Sequence, residues 1–240
     1  QAAQGIKRAT ARRTGRCIAF VATRRRTDRT ARLSTRLGSK PMADGDPEAL
    51  YAALCKGPAL RPLRPPGRPL ELDGHFSMVL MSALARLDAG DAGVMEHYAD
   101  VRDEFATLFD GFPKSEVHLL VLPRQRIASA RELTREQLPL LRRMAAYVTW
   151  LVAQLSKQRP DLTWRHGVHA HPSLVQLHVH VISQDFQSAC LKNKKHYNSF
   201  QPPFLVGLDM LLANLETSSC ALGATTRAEA EAWLKGDLRC

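Results

Sequence analysis

No stretch of this sequence stays apolar for anything near the roughly 20 residues a membrane-spanning helix requires, so a soluble chain without a membrane partner is expected. Cysteine is sparse: five in 240 residues, at positions 17, 55, 190, 220 and 240, with no paired spacing. With no signal peptide in view, that speaks against a disulfide framework and for a reducing compartment. Acidic side chains are nearly missing from the first forty positions, where twelve Lys/Arg meet only Asp28. The formal charge of +11 sits entirely in that segment, and the rest of the chain is neutral overall. Residues 1–45 are also poor in aromatics and rich in Arg, Thr and Ala, which predicts a disordered basic extension. Such a head reads as a nuclear-import signal, a nonspecific DNA-binding arm, an arginine-rich mitochondrial presequence, or a tail of little consequence. Gln1 in place of a methionine fits a fragment or an imperfect gene model.

What remains is long enough to bury one full core. Its centre is the stretch 169–198, HAHPSLVQLHVHVISQDFQSACLKNKKHYN. Residues 176–182 alternate polar and apolar, so as a strand they place Gln176, His178 and His180 on one side and Leu177, Val179 and Val181 on the other. A turn at Pro172 and Ser173 lets His169 join that row.

Elsewhere the pattern is conventional. Asp46, Pro47 and Glu48 open a short helix. Residues 58–70 are too rich in Pro and Arg for a long regular element. Strands are expected at 75–81, 104–109 and 117–122, with the sheet continuing from Val94 and turns at 88–93 and 110–114. Ser129 with Glu132, and Thr134 with Gln137, fit capping boxes. After the second, an apolar stripe from Leu138 to Leu155 predicts a long helix, with Arg142 and Arg143 solvated beside it. Gly167 would allow a close backbone approach to a ligand. Residues 204–215 read as an amphipathic or buried segment, and Thr226 with Glu229 caps a last helix. The expected class is α+β, an antiparallel sheet packed with helices.

Three readings of the histidine row stay open on the residues alone. They are partly buried imidazoles with satisfied hydrogen bonds; or zinc ligands, with His169 or His171 as a third; or a nucleophile and its neighbours at a phosphorus centre. The lysines of LKNKKH, at 191–196, favour a phosphate ester.

The motif His178-Val179-His180, continued by ISQDF at 182–186 and CLKNKKHYNSF at 190–200, resembles the aprataxin-like family of histidine-triad hydrolases, of the fungal type. DGFPKSEVHLLVLPR at 110–124 extends the likeness. The resemblance implies a histidine-triad (HIT) fold, with a catalytic domain over 46–215. It also implies a DNA-repair hydrolase of the nucleus that removes AMP from adenylated DNA 5′ ends and nicks through a covalent histidine–AMP intermediate. His178 would be the nucleophile, with His180, His169 and His196 as catalytic partners. Gln176, Ser183, Lys192, Lys194, Lys195, Asp110 and Lys114 would bind substrate. The chemistry needs no cofactor. Over 216–240 a C-terminal helix would lead into a zinc finger, with Cys240 as the first ligand, so zinc is expected only in a longer protein. Gln176 departs from the family, standing where a first histidine is usual; its amide can donate and accept but cannot protonate near neutrality. His171 is given no role. Two alternatives remain: a general nucleoside phosphoramidate or dinucleotide hydrolase of the same superfamily, and a non-catalytic nucleic-acid-binding module.

Overall fold

The computed structural model describes residues 46–66, 70, 75–223 and 225–238. The basic head and Cys240, with the expectations attached to them, lie outside the described residues.

Helix α1, Pro47–Lys56, starts where the sequence places it: the Asp46 side chain accepts from Glu48 N and Pro47 occupies the first turn. The apolar run from His75 is not a strand. One 3₁₀ turn, Phe76–Met78, leads into helix α2, Val79–Asp88. Val79, Leu80, Ala83, Leu84 and Leu87 are buried at helical spacing, and a short apolar run cannot by itself distinguish helix from strand. A second 3₁₀ segment, Ala92–His97, precedes the first strand, so the sheet begins later than Val94.

Six strands follow: β1 Tyr98–Val101, β2 Phe105–Phe109, β3 His118–Pro123, β4 Trp164–His169, β5 Val179–Ser183 and β6 Leu205–Val206. Their spatial order is β1-β2-β3-β5-β4-β6, with every pair antiparallel. Between β3 and β4 runs the long helix α3, Leu138–Gln158. The Thr134–Gln137 capping box forms, on a 3₁₀ turn that feeds this helix. The Ser129 box does not: Ser129 accepts from Arg131 N, whereas the Glu132 carboxylate accepts from Ala128 N. Helices α4 Lys194–Asn198, α5 Leu208–Thr217 and α6 Arg227–Lys235 complete the chain. The helix α6 has the expected capping box.

Strand alternation divides the core. Leu119 and Val121 of β3 with Val179 and Val181 of β5 face α3, where Met144, Val148, Leu151 and Leu155 are buried. Ala106, Leu108, Leu120 and Leu122 face α2. That helix covers only part of its face. The rest, carrying His118 and His180, is left for the site, because Leu120 pairs with His180 across the strands.

Two expectations fail for packing reasons. Arg143 is not solvated; it is 8% exposed and holds the Glu104 carboxylate through Nε at 2.9 Å and Nη2 at 2.7 Å. Arg142 is exposed and pairs with Glu216 at 2.7 Å. Gly167 does permit a close approach, but of chain rather than ligand: a Cβ there would lie 2.5 Å from the Val206 carbonyl oxygen. Of the cysteines, Cys55 and Cys220 are free and Cys190 is buried. No described helix is long and apolar enough to cross a membrane.

Candidate active site

Strand β5 is shorter than its sequence pattern. It begins at Val179, and Gln176 just before it has a φ of +97°, a region that non-glycine residues rarely occupy. That backbone twist breaks the alternation. The Gln176 side chain therefore does not join the histidine row; its Nε2 donates to the carbonyls of Pro123 and Gln125, each at 2.9 Å, and Oε1 accepts from Ile127 N at 3.4 Å. All its hydrogen-bonding capacity as a donor is thus used inside the protein, which corrects its placement among substrate ligands.

The same residue serves His178 through its backbone. The carbonyl of Gln176 lies 2.8 Å from His178 Nδ1. A carbonyl only accepts, so Nδ1 carries the proton and Nε2 keeps its lone pair. Burial lowers the His178 pKa from the ordinary value, against the opposing pull of that carbonyl and of Asp110. The ring is therefore neutral and nucleophilic near pH 7.

His180 is set by a residue the sequence reading passed over. Lys114 N–H donates to His118 Nδ1 at 3.3 Å, so the His118 proton sits on Nε2. That Nε2 lies 3.0 Å from His180 Nδ1, which accepts, leaving His180 with an N–H at Nε2. His180 Nε2 is buried without a partner, as is Nε2 of His169. The His169 and His180 rings lie 4.1 Å apart between centroids, tilted by 31°, and Phe200 lies against His118, His169 and His180 at 5.0 to 5.3 Å. Burial pushes His118 down to about 4 and holds His169 and His180 well below the usual histidine range. The signal for His118 was a lone imidazole opening an otherwise apolar strand.

Asp110, 3.5 Å from His118 Nε2, opposes the His118 shift. Its Oδ1 accepts from Phe112 N at 2.7 Å and closes the turn at 110–114. Lys114 donates through Nζ to the Phe112 carbonyl. Its own pKa is lowered, chiefly by burial, and its charge helps depress His118, His169, His180 and His196. A cleft of about 590 Å³ opens beside Asp110 and His118, walled by Pro62, Leu63, Pro65 and Pro113.

Across from Lys114 stands helix α4. Asn193 caps it, accepting from His196 N at 3.1 Å, while Lys192 N donates to His196 Nδ1 at 3.1 Å. His196 is thereby a donor at Nε2, with a pKa lowered first by burial and then by Lys114. Lys192 acts electrostatically on both His196 and Lys114. Lys194 and Lys195 are exposed, Lys194 lying 4.0 Å from Asp237. Ser183 is fully buried; its hydroxyl accepts from Val117 N at 3.1 Å and bonds Asp185, joining β5 to β3 rather than opening toward the site.

Among the described residues, Asp110, His118 and His180 bring donor atoms within 4.8 Å of one another, as a metal site would need. The fit is poor. His118 Nδ1 already accepts from a backbone N–H, so its Nε2 must keep a proton and has no lone pair for an ion. The grouping also omits His178, so the zinc reading of the histidine row finds no support in its geometry. Cys240, the expected finger ligand, is outside the described residues.

The family described as "Scavenger mRNA decapping enzyme C-term binding" matches residues 84–196. Aprataxin of Danio rerio is 39% identical over 153 residues, covering 62% of this chain and 44% of its own length. Aprataxin of Gallus gallus is 36% identical over 167 residues, covering 70% and 49% respectively. The aprataxin-like protein of Saccharomyces cerevisiae is 32% identical over 166 residues, which cover 58% of this chain and 75% of the yeast protein. The structure "Hnt3 in complex with DNA and guanosine" aligns at 26% identity with a TM-score of 0.53, over 69% of this chain and 85% of that one. The chain spans less than half the length of the animal aprataxins it matches. With the histidine row, the flanking lysine turn and a HIT-type antiparallel sheet in place, the chain belongs to the aprataxin-like family of histidine-triad proteins.

Proposed function

We propose that this chain is a DNA-repair hydrolase that removes AMP from abortively adenylated 5′ DNA ends and nicks, with His178 as the nucleophile. The observation that carries the reading is the 2.8 Å contact between the Gln176 carbonyl and His178 Nδ1. It leaves a neutral imidazole with its lone pair at Nε2, which is what attack on phosphorus requires.

In the first step His178 Nε2 bonds to the adenylate phosphorus, and the bond to the oxygen of the DNA 5′-phosphate breaks. The electron pair leaves with that oxygen. His196, a donor at Nε2, is suited to protonate it. In the second step water attacks the phosphorus and passes a proton to the His196 Nε2 left bare by the first step, the P–N bond breaks, AMP departs and the electron pair returns to His178 Nε2. His180, with its N–H at Nε2, stabilises the phosphoryl oxygens as charge develops on them. His169 joins it once the anionic phosphate draws a proton onto that ring. Lys114 and Lys192 neutralise the remaining charge. Neither step uses a cofactor. Support for DNA as partner comes from the Hnt3 structure described with DNA and guanosine, and a nuclear location follows from the repair role.

The test is AMP release from a 5′-adenylated nicked duplex and from AMP-lysine, by the wild-type chain and His178→Ala. Turnover of the duplex that disappears in the variant supports the proposal. Turnover confined to AMP-lysine would assign a general phosphoramidate hydrolase instead, and no turnover of either substrate sinks the catalytic reading.

A further inference from the structure

We propose that the Gln176 side chain is a positioning residue: its amide clasps the segment 123–127 and so holds the twisted backbone from which its own carbonyl reaches His178. The proposal rests on His178 being the nucleophile.

Three observations meet at this one residue. Its φ of +97° is a conformation that a side chain with a Cβ disfavours, so something must hold it. What holds it is visible. Both amide hydrogens go to carbonyls, those of Pro123 and Gln125, and the amide oxygen takes Ile127 N–H. The backbone adds Gln176 N to Ala128 O at 2.9 Å and Leu177 N to Ile127 O at 2.6 Å. The residue is 1% exposed, so no water can substitute for these bonds. The output of the arrangement is the carbonyl that sets the His178 tautomer. A primary amide suits the task because it offers two donors and keeps them at every pH; a neutral imidazole offers one.

Two variants and two readouts test this. Gln176→Met keeps the length and loses every hydrogen bond. Gln176→Glu keeps the acceptor for Ile127 but supplies a donor only when protonated, and burial raises the pH at which it is. Nitrogen-15 spectra of the His178 ring report the tautomer directly. The expected results are at least a tenfold loss of kcat in Gln176→Met with KM within about twofold, and a mixed tautomer where the wild type shows Nδ1–H. For Gln176→Glu, the ratio of its kcat to that of the wild type is expected to climb as pH falls. A His178 tautomer and kcat unchanged in Gln176→Met overturn the inference. If Gln176→Met does not fold, a Gln176→Glu profile parallel to that of the wild type overturns it equally. A wild type with the Nδ1–H signature that leaves adenylated DNA uncleaved counts against the proposed function, while the spectra still decide the clasp.

Discussion

His118 Nε2 lies 3.0 Å from His180 Nδ1, and the backbone N–H of Lys114 occupies the other nitrogen of His118. The proton on His180 is thus placed from two residues away. Replacing His118 with Phe keeps a ring in the pocket and removes that donor. His180 then has no fixed tautomer, and kcat for AMP release is expected to fall by up to roughly 100-fold, the lower end of what outright removal of one transition-state donor costs. Steady-state kinetics with a melting curve separates this from misfolding.

The buried imidazoles predict the pH dependence. His178 acts as a neutral ring, and its pKa is lowered from 6.5. Its neutral fraction therefore persists to lower pH than that of a free histidine, and the acid limb of kcat/KM is expected below pH 6.5. A pH profile with its acid limb above 7 would contradict the burial.

Stability follows the same sign. The folded-state pKa of His118 is down at about 4 from 6.5, so between those values the unfolded chain binds the extra proton and the fold loses stability as pH falls. His118 alone corresponds to roughly 3 kcal/mol at about 1.4 kcal/mol per unit, fully present above pH 6.5 and gone near pH 4. Urea unfolding at pH 7.5 and 4.5 measures it.

Arg142 and Arg143, neighbours in sequence, are expected to behave differently. Arg143 is 8% exposed and bidentate to Glu104; its removal leaves a carboxylate in a half-buried setting and should cost about 2 kcal/mol. Arg142, exposed and paired with Glu216, should cost less than about 0.5 kcal/mol when changed to Ala. Denaturant midpoints of Arg142→Ala and Arg143→Ala give the comparison.

Gly167→Ala should destabilise by about 1–3 kcal/mol, the usual range for overpacking, because its Cβ would meet the Val206 carbonyl at 2.5 Å. The strain falls on the short β6 and, through it, on His169, so the melting temperature and kcat are expected to drop together. An unchanged melting temperature would mean that β6 yields freely.

The histidine row, the capped helices α1 and α6 and the apolar stripe of α3 were legible in the sequence. Each is written in local terms: a period of two, a period of 3.6, or a capping residue at fixed spacing. The run after His75 misled because its first seven residues fit either period, and only the burial of Ala83, Leu84 and Leu87 against the sheet decides for helix. Gln176 misled for a different reason. Alternation assigns a side chain to a face only while the backbone stays extended, and a φ of +97° turns its amide toward carbonyls some fifty residues earlier in the chain. His118 stood out only as a lone imidazole opening an apolar strand; its partner was out of reach, since nothing local links it to His180, 62 positions away. The sequence by itself therefore determined which imidazoles are present and that His178 and His180 stand together at one strand. Only the tertiary structure decided which nitrogen of each holds the proton, because hydrogen-bond partners are chosen by the fold and not by spacing along the chain.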